Sequence, residues 1–508
     1  MGGIVQIVGF SSSYKVPGYF AETVYGAGAI TVGSIPLICL VVGNKTSAGS
    51  ATADQDLKQV LSVDDADAYF GPGAEISVMC YAGLIEEGVL LWGCPNAEAG
   101  GAVAGTGTIT IASAATSSGT WAYWIDGNYI TGGIANGDSA TTTAAAIVAA
   151  VNGNTRLPVT AANVNGVVTL TSKSKGIRAN QHTLFQDATK MPTGQTSAVS
   201  GGTAITGGGV FFTGGSGSDS LTNVFTILFP GTYDRIAIAQ NDATNAAAFV
   251  TQLNSKAGVL EGRLEHGVMA VSGSLSSATT LATVSLNAER VQLLWLLNSP
   301  AHPPALAARM AAKRTATEQA DPNASYDDAI LTGSTTCPLL GQFAAADNPS
   351  QATEVSALNN GITPLKTTTD GKVAVVRSIT SHSLNGSNPD YRTLDTSDAY
   401  VPDFIRKGLD LVWTTEFLPA NKRVQDDPAP GAKEAPAGAA TPSLWTKRAT
   451  RFLKDQEAAP ALVVQDVDAN PVQSGFDSTA KRIMSAVPVI PAANQHQIGV
   501  SVRNVTAA

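Results

Sequence analysis

Residues Leu358 to His382 read LNNGITPLKTTTDGKVAVVRSITSH, and the fold reading turns on this stretch. Just upstream, Ser350 to Asn359 carries a short helix pattern. It stops at Asn360-Gly361, a pair that tolerates the left-handed backbone ending a helix. The polar turn Thr369-Asp370-Gly371 then launches a strand, in which Val373, Val375 and Ile379 alternate only loosely with Lys372, Ala374, Arg377 and Ser378. Apolar residues on both faces predict a strand covered from both sides. An Asp-rich segment and a further helix pattern follow, DYRTLDTSDAYVPDFIRKGLDLVWT, from Asp390 to Thr414.

The whole chain has 508 residues, enough for about two to four domains with sizeable cores. Its net charge of -9 argues against a broad grip on nucleic acid, which needs a basic footprint. Cys39, Cys80, Cys94 and Cys337 show no CxxC spacing, and two of them sit in apolar runs, so buried free thiols made in a reducing compartment are expected. MGGIVQIVGF at the start lacks a basic signal-peptide region, and Gln6 breaks the myristoylation pattern. No apolar run is long enough to span a bilayer, so stable membrane insertion is not expected.

Working outward, the chain divides into five parts. Residues 1–20 read as an N-terminal arm, with Ile4, Val5, Ile7 and Val8 as a short strand. Residues 21–97 and 206–349 read as an α/β core domain. There LICLVVG and VLLWGCP are buried strands, Ala53–Ser62, Asp65–Phe70 and Ile76–Glu86 are helix patterns, and YDRIAIA opens a second strand–helix alternation. Residues 98–205, rich in Gly, Ala, Ser and Thr, read as an inserted peripheral α+β module. Residues 350–490 read as a C-terminal α+β domain, with helix patterns at Asp403–Leu411 and Ser443–Asp455. Residues 491–508 read as a C-terminal β-arm. The fold class is therefore α/β and α+β multidomain, with extended terminal β-arms.

No reactive constellation stands out. Gly43-Asn44-Lys45-Thr46 follows a buried strand, but Asn44 separates Gly from Lys, and Ile38 stands where a phosphate-binding loop needs its first glycine. Gly26-Ala27-Gly28 lacks the third glycine of a dinucleotide fingerprint. The five histidines, His182, His266, His302, His382 and His496, have no metal-ligand spacing. No GxSxG elbow appears, and the two S-x-x-K matches at Ser12 and Ser172 lack their partner motifs. No catalytic residue, cofactor or metal is assigned, and the protein is not read as an enzyme.

Two features suggest an assembly instead. Ile498, Val500 and Val502 alternate cleanly behind the Pro-containing tether VPVIPAANQ, so this last strand seeks a sheet edge, its own or a neighbour's. Thr441-Pro442 starts a helix whose Trp445, Ala449, Phe452 and Leu453 form an apolar stripe. Lys447, Arg448, Arg451 and Lys454 form a basic one, which on most helices is a solvated face.

The opening stretch, with its "NGIT/TP" turn, "DGKV.VVR.IT" strand and Asp-rich continuation, resembles the signature of contractile phage tail sheath proteins. The inserted module resembles that of Mu-type sheaths in order and spacing: GTGTITIAS, WAYWIDGNYI, NGDSATTTAAAIVAAVNGNTRLPVTA and NGVVTLTSKSKG. FGPGAEISVMCYA is a looser match further upstream. The resemblance implies a structural subunit that polymerises as stacked hexameric rings around an inner tail tube. Contraction of the array drives the tube through the host envelope. The implied partners are neighbouring sheath subunits, the tube protein, and baseplate and tail terminator proteins, with no direct nucleic acid. The implied place is the virion tail, assembled in the bacterial host cytoplasm. It also implies that the terminal strands pair with neighbours and that Lys447, Arg448, Arg451 and Lys454 are candidates to face the tube. The competing readings are a nucleotide- or sugar-binding α/β enzyme with a surface module, and a secreted adhesin or surface-layer protein.

Overall fold

The computed structural model describes residues 36–496 apart from 229, 230, 259, 419 and 421. Its centre is a nine-stranded sheet covered on both faces. The strand β1, Ile38–Asn44, leads to helices α1, Val63–Phe70, and α2, Glu75–Gly83, and then to β2, Leu90–Asn96. After the module come β3, Arg235–Ile238, α3, Ala243–Lys256, β4, His266–Val271, β5, Val291–Trp295, and α4, Pro303–Ala320. Two further strands close the order, β6, Thr363–Thr367, and β7, Val373–Val375. Along the sheet β2, β1, β3, β4, β5 and β6 are parallel. The edges are antiparallel: Lys58–Gln59 on β2, and β7 with Ile330–Leu331 on β6.

The continuous apolar run of β1 has a direct cause in this arrangement. Cys39 and Val41 face a layer holding Phe70, Met79 and Ala308, while Leu40 and Val42 face one holding Phe249 and Leu253. Alanines along α4 let it lie close against α2. Side-chain caps at Ser62 and Asp242 satisfy free N–H groups where α1 and α3 begin.

The opening stretch sits differently from its sequence reading. Its two strands belong to the central sheet, although the sequence placed it in a C-terminal domain from residue 350. The strand Thr363–Thr367 was hidden because Pro364 interrupts its pattern. β7 is only three residues long, all buried, and Ile379 makes an isolated bridge to Asp395. Gly361 has φ 72, and a Cβ there would lie 2.5 Å from the Ser381 carbonyl oxygen, so this turn needs glycine.

Ala53–Ser62 is not a helix. Turns lead into Lys58–Gln59, with Asp54 at φ 57 and the Asp56 carboxylate accepting from the Thr52 amide at 2.8 Å. Such local side-chain bonds compete with helix formation. The helix Leu275–Thr280 continues as a π turn over Leu281–Leu286.

The module is a four-stranded and a five-stranded antiparallel sheet, with the helix Ala140–Gly153 sharing their core. It runs past residue 205, since Gly209–Phe211 pairs with Thr183–Gln186 and Thr213 bridges to Thr106. Beyond the central sheet, α5, Thr396–Val412, and α6, Pro442–Glu457, share a small core with Val463, Val464 and Val467. α5 starts well before the expected Asp403 because Asp395 and Asp398 form a reciprocal capping box. The hairpin Gln473–Asp477 with Arg482–Ala486 packs on α6.

Candidate functional site

In a doubly wound sheet, ligands bind outside the carboxyl ends of the strands, where the chain order reverses. Here the reversal lies between β1 and β3, because the chain leaves β1 for β2 on one side and later returns to β3 on the other. That crevice is filled by the module. Arg178 donates from Nε to Glu75 Oε1 at 2.9 Å, and from Nη2 to Glu75 Oε2 at 2.9 Å and to Asp219 Oδ2 at 2.7 Å. It also donates to Asn44 Oδ1 at the end of β1. All four side chains are buried. Burial alone would raise the Glu75 carboxyl; the Arg178 charge outweighs it and holds the group below its ordinary range.

The same contact removes the phosphate-loop reading. The Asn44 N–H, an amide that would cradle a phosphate, donates to Glu75 Oε2 at 3.0 Å. The Glu75 N–H at the start of α2 donates to Ser174 Oγ of the module at 3.0 Å. A phosphate entering here would meet the Glu75 and Asp219 carboxylates. The loop Gly71-Pro72-Gly73 is pressed by module backbone: a Cβ on Gly73 would lie 2.1 Å from the Leu157 oxygen. Beside this plug opens a cleft of about 860 Å³ whose lining, including Phe211, Asn241 and Ser272, carries no charged side chain.

A second buried contact sits nearby. Asp126 accepts from His182 Nδ1 at 2.5 Å and from the Thr183 amide at 2.7 Å, and Thr183 Oγ1 donates to the Pro300 oxygen at 3.1 Å. The His182 ring stacks on His302 at 4.5 Å, just before α4. Burial opposes the charge on His182, but the Asp126 carboxylate raises its pKa. Burial and then the His182 charge push His302 down to about 4. On the other side of the core, burial pushes His266 down to about 4, although it is hydrogen-bonded to Asp403.

These histidines set a pH dependence. His266 and His302 are neutral in the fold, but once unfolded each takes up a proton near pH 6.5. Between about pH 6.5 and 4 the unfolded chain therefore binds more protons, and stability falls on acidification by ~1.4 kcal/mol per pH unit for each group. His182 has the opposite sign, and its contribution is lost as pH rises through its raised pKa. Denaturant melts at stepped pH should show the acid loss, and His302→Asn should make it shallower while His266 keeps its share. An equally steep slope in that variant would contradict the assignment.

The remaining sequence candidates fall in two places. Lys447, Arg448, Arg451 and Lys454 are all exposed on α6, opposite buried Ala449, Phe452 and Leu453. Acidic neighbours dilute the stripe: Arg448 pairs with Glu416 at 3.0 Å and Lys454 with Asp468 at 2.6 Å. Ile4, Val5, Ile7, Val8, Ile498, Val500 and Val502 lie outside the described residues. The tether up to residue 496 is bound to its own chain. Val487 and Val489 pack on the small C-terminal core, and the Ala492 carbonyl accepts from Asn323 Nδ2 at 2.8 Å. Proline stops regular structure there without freeing the chain, and sequence pattern alone misses that.

All four cysteines are buried and free, and burial pushes Cys39 and Cys94 up to about 12. Among the described residues no cluster of three or more His, Cys, Asp or Glu fits a metal ion. No helix among them is long and apolar enough to cross a membrane.

No family model matches the chain. Over 143 residues it is 29% identical to the Mu-like prophage FluMu tail sheath protein of Haemophilus influenzae. The chain is similar to tail sheath proteins. The match covers 28% of this chain and 29% of that relative, so it spans less than a third of either. Among solved structures, the sheath tail protein of Listeria innocua aligns over 90% of this chain and 92% of its own, at a TM-score of 0.47 and 12% identity. The sheath tail protein of Desulfitobacterium hafniense aligns over 94% and 100%, at 0.46 and 11%. The helical sheath of the anti-feeding prophage in its contracted state aligns over 96% and 99%, at 0.45 and 11%.

Proposed function

We propose that this protein is the subunit of a contractile tail sheath. The sequence match to a Mu-like tail sheath protein carries the reading, and the motif order in the module and around Leu358–His382 agrees with it. The plugged crevice supports a structural role, because the place where an α/β enzyme of this topology binds its substrate is filled by buried protein charges.

In this reading six subunits make a ring, and rings stack around a tube and end on a baseplate and a terminator. Contraction is driven by surface buried between subunits: ~400 Å² of added apolar burial per subunit would supply at most about 10 kcal/mol without nucleotide hydrolysis. Terminal strands carrying Ile4, Val5, Ile7 and Val8, and Ile498, Val500 and Val502, add to sheets of neighbouring copies and keep the array connected. The hairpin Gln473–Asp477 with Arg482–Ala486 is a fitting acceptor, since among the described residues each of its strands pairs only with the other. The exposed cations Lys447, Arg448, Arg451 and Lys454 face the tube, where long-range attraction yields and re-forms as subunits slide.

Negative-stain electron microscopy of purified protein is the test. Tubes or sleeves of uniform width are expected at micromolar concentration. Protein that stays monomeric at every concentration and salt would sink the proposal.

A further inference from the structure

The tether ends at a polar contact that holds more than packing requires. His496 Nδ1 meets Asp327 Oδ2, and Nε2 meets Asp395 Oδ2 at 3.0 Å. A carboxylate only accepts, so both ring nitrogens must donate, which needs the imidazolium form. Asp327 lies in the loop after α4, and Asp395 is the capping residue of α5. Asp395 also takes a two-pronged bond from Arg377, at 2.8 and 2.9 Å. Asp398 is the third carboxylate here, acting on Arg377 and in turn influenced by His496. Three carboxylates thus face one guanidinium, and His496 supplies the second cation. Tyr326 completes the wall as a buried phenol. Just before, Asn494 Nδ2 donates to Ser397 Oγ at 3.2 Å, at the start of the same helix.

We propose that His496 is a two-donor clamp that fixes the end of the tether, at residue 496, to the body of its own chain. Held between Asp327 and Asp395, it ties the exit point to two elements, the loop behind α4 and the capped end of α5. Loss of the imidazole leaves both carboxylates without this donor, and the clamp opens. The device rests on the sheath reading for its purpose: load carried by an exchanged strand passes through His496 into the body of the subunit. The clamp itself belongs to the single subunit and is measurable there.

Hydrogen exchange of the unassembled protein is the experiment, read over Val487–His496 at one fixed pH and corrected for intrinsic rates. His496→Ala should raise opening about tenfold, the equivalent of one lost charge-assisted hydrogen bond, while exchange in the central sheet is unchanged. His496→Arg keeps a fork of donors and should stay as closed as the native chain. An alanine variant as protected as the native chain, or an arginine variant as open as the alanine one, would overturn the clamp. Microscopy of the same samples separates the two readings: absence of tubes in every sample counts against the sheath, while the exchange data alone decide the clamp.

Discussion

Arg178→Ala is expected to destabilise the folded core and module together by about 3–5 kcal/mol, the usual loss when one member of a buried ionic cluster is removed. The side chain is 1% exposed, and its partners Glu75 and Asp219 are 4% and 0% exposed. Truncation leaves both carboxylates in a low-dielectric site with no counter-charge. Arg178→Lys should recover only part of the loss, since an ammonium cannot reproduce the fork that reaches Glu75, Asp219 and Asn44 together. The deficit of the alanine variant should shrink toward pH 5, as Glu75 becomes able to take a proton. Denaturant midpoints at two pH values measure this. A loss below about 1 kcal/mol would mean that the module merely rests on the core.

Truncation after His496 carries the other large effect, on assembly. Residues 497–508 contain Ile498, Val500 and Val502, and the described body of the subunit ends before them. The truncated subunit should keep its melting temperature and lose polymerisation. If the strand contributes about four backbone hydrogen bonds at ~1 kcal/mol each, the concentration needed for assembly rises roughly a thousandfold. Sedimentation against concentration reads it directly. Normal tubes from the truncated protein would remove strand exchange from the proposal, whereas a drop in melting temperature would show the strand belongs to its own subunit.

Much of this architecture is written in local pattern. LICLVVG has no polar alternation because both faces of β1 are covered. Thr441-Pro442 starts α6 because the Thr441 hydroxyl accepts from the Leu444 amide at 3.3 Å and proline needs no donor there. The alternating residues Thr106–Ala112 lie in the strand Ala104–Ala112, which alternates between core and surface. Each of these depends on neighbours within a few residues, and periodicity reports such neighbours well.

Contacts between distant residues left no such trace. Arg178 lies 103 positions from Glu75, and nothing in SKSKGIRAN marks it as the plug of another domain's crevice. His496 lies 169 positions from Asp327 and 101 from Asp395, just past the Pro-containing tether. The strand launched by Thr369-Asp370-Gly371 read correctly as covered on both sides, whereas Thr363–Thr367 was not read as a strand, and the membership of both in the central sheet depends on pairing with Val291–Trp295 and with each other. The sequence by itself therefore determined most kinds of elements and the likeness to tail sheaths. Only the tertiary structure decided which strands share a sheet, which charges are buried together and where the tether is held. Backbone periodicity is a short-range property, whereas buried ion pairs and sheet order arise from desolvation and register between segments that meet only once the chain has folded.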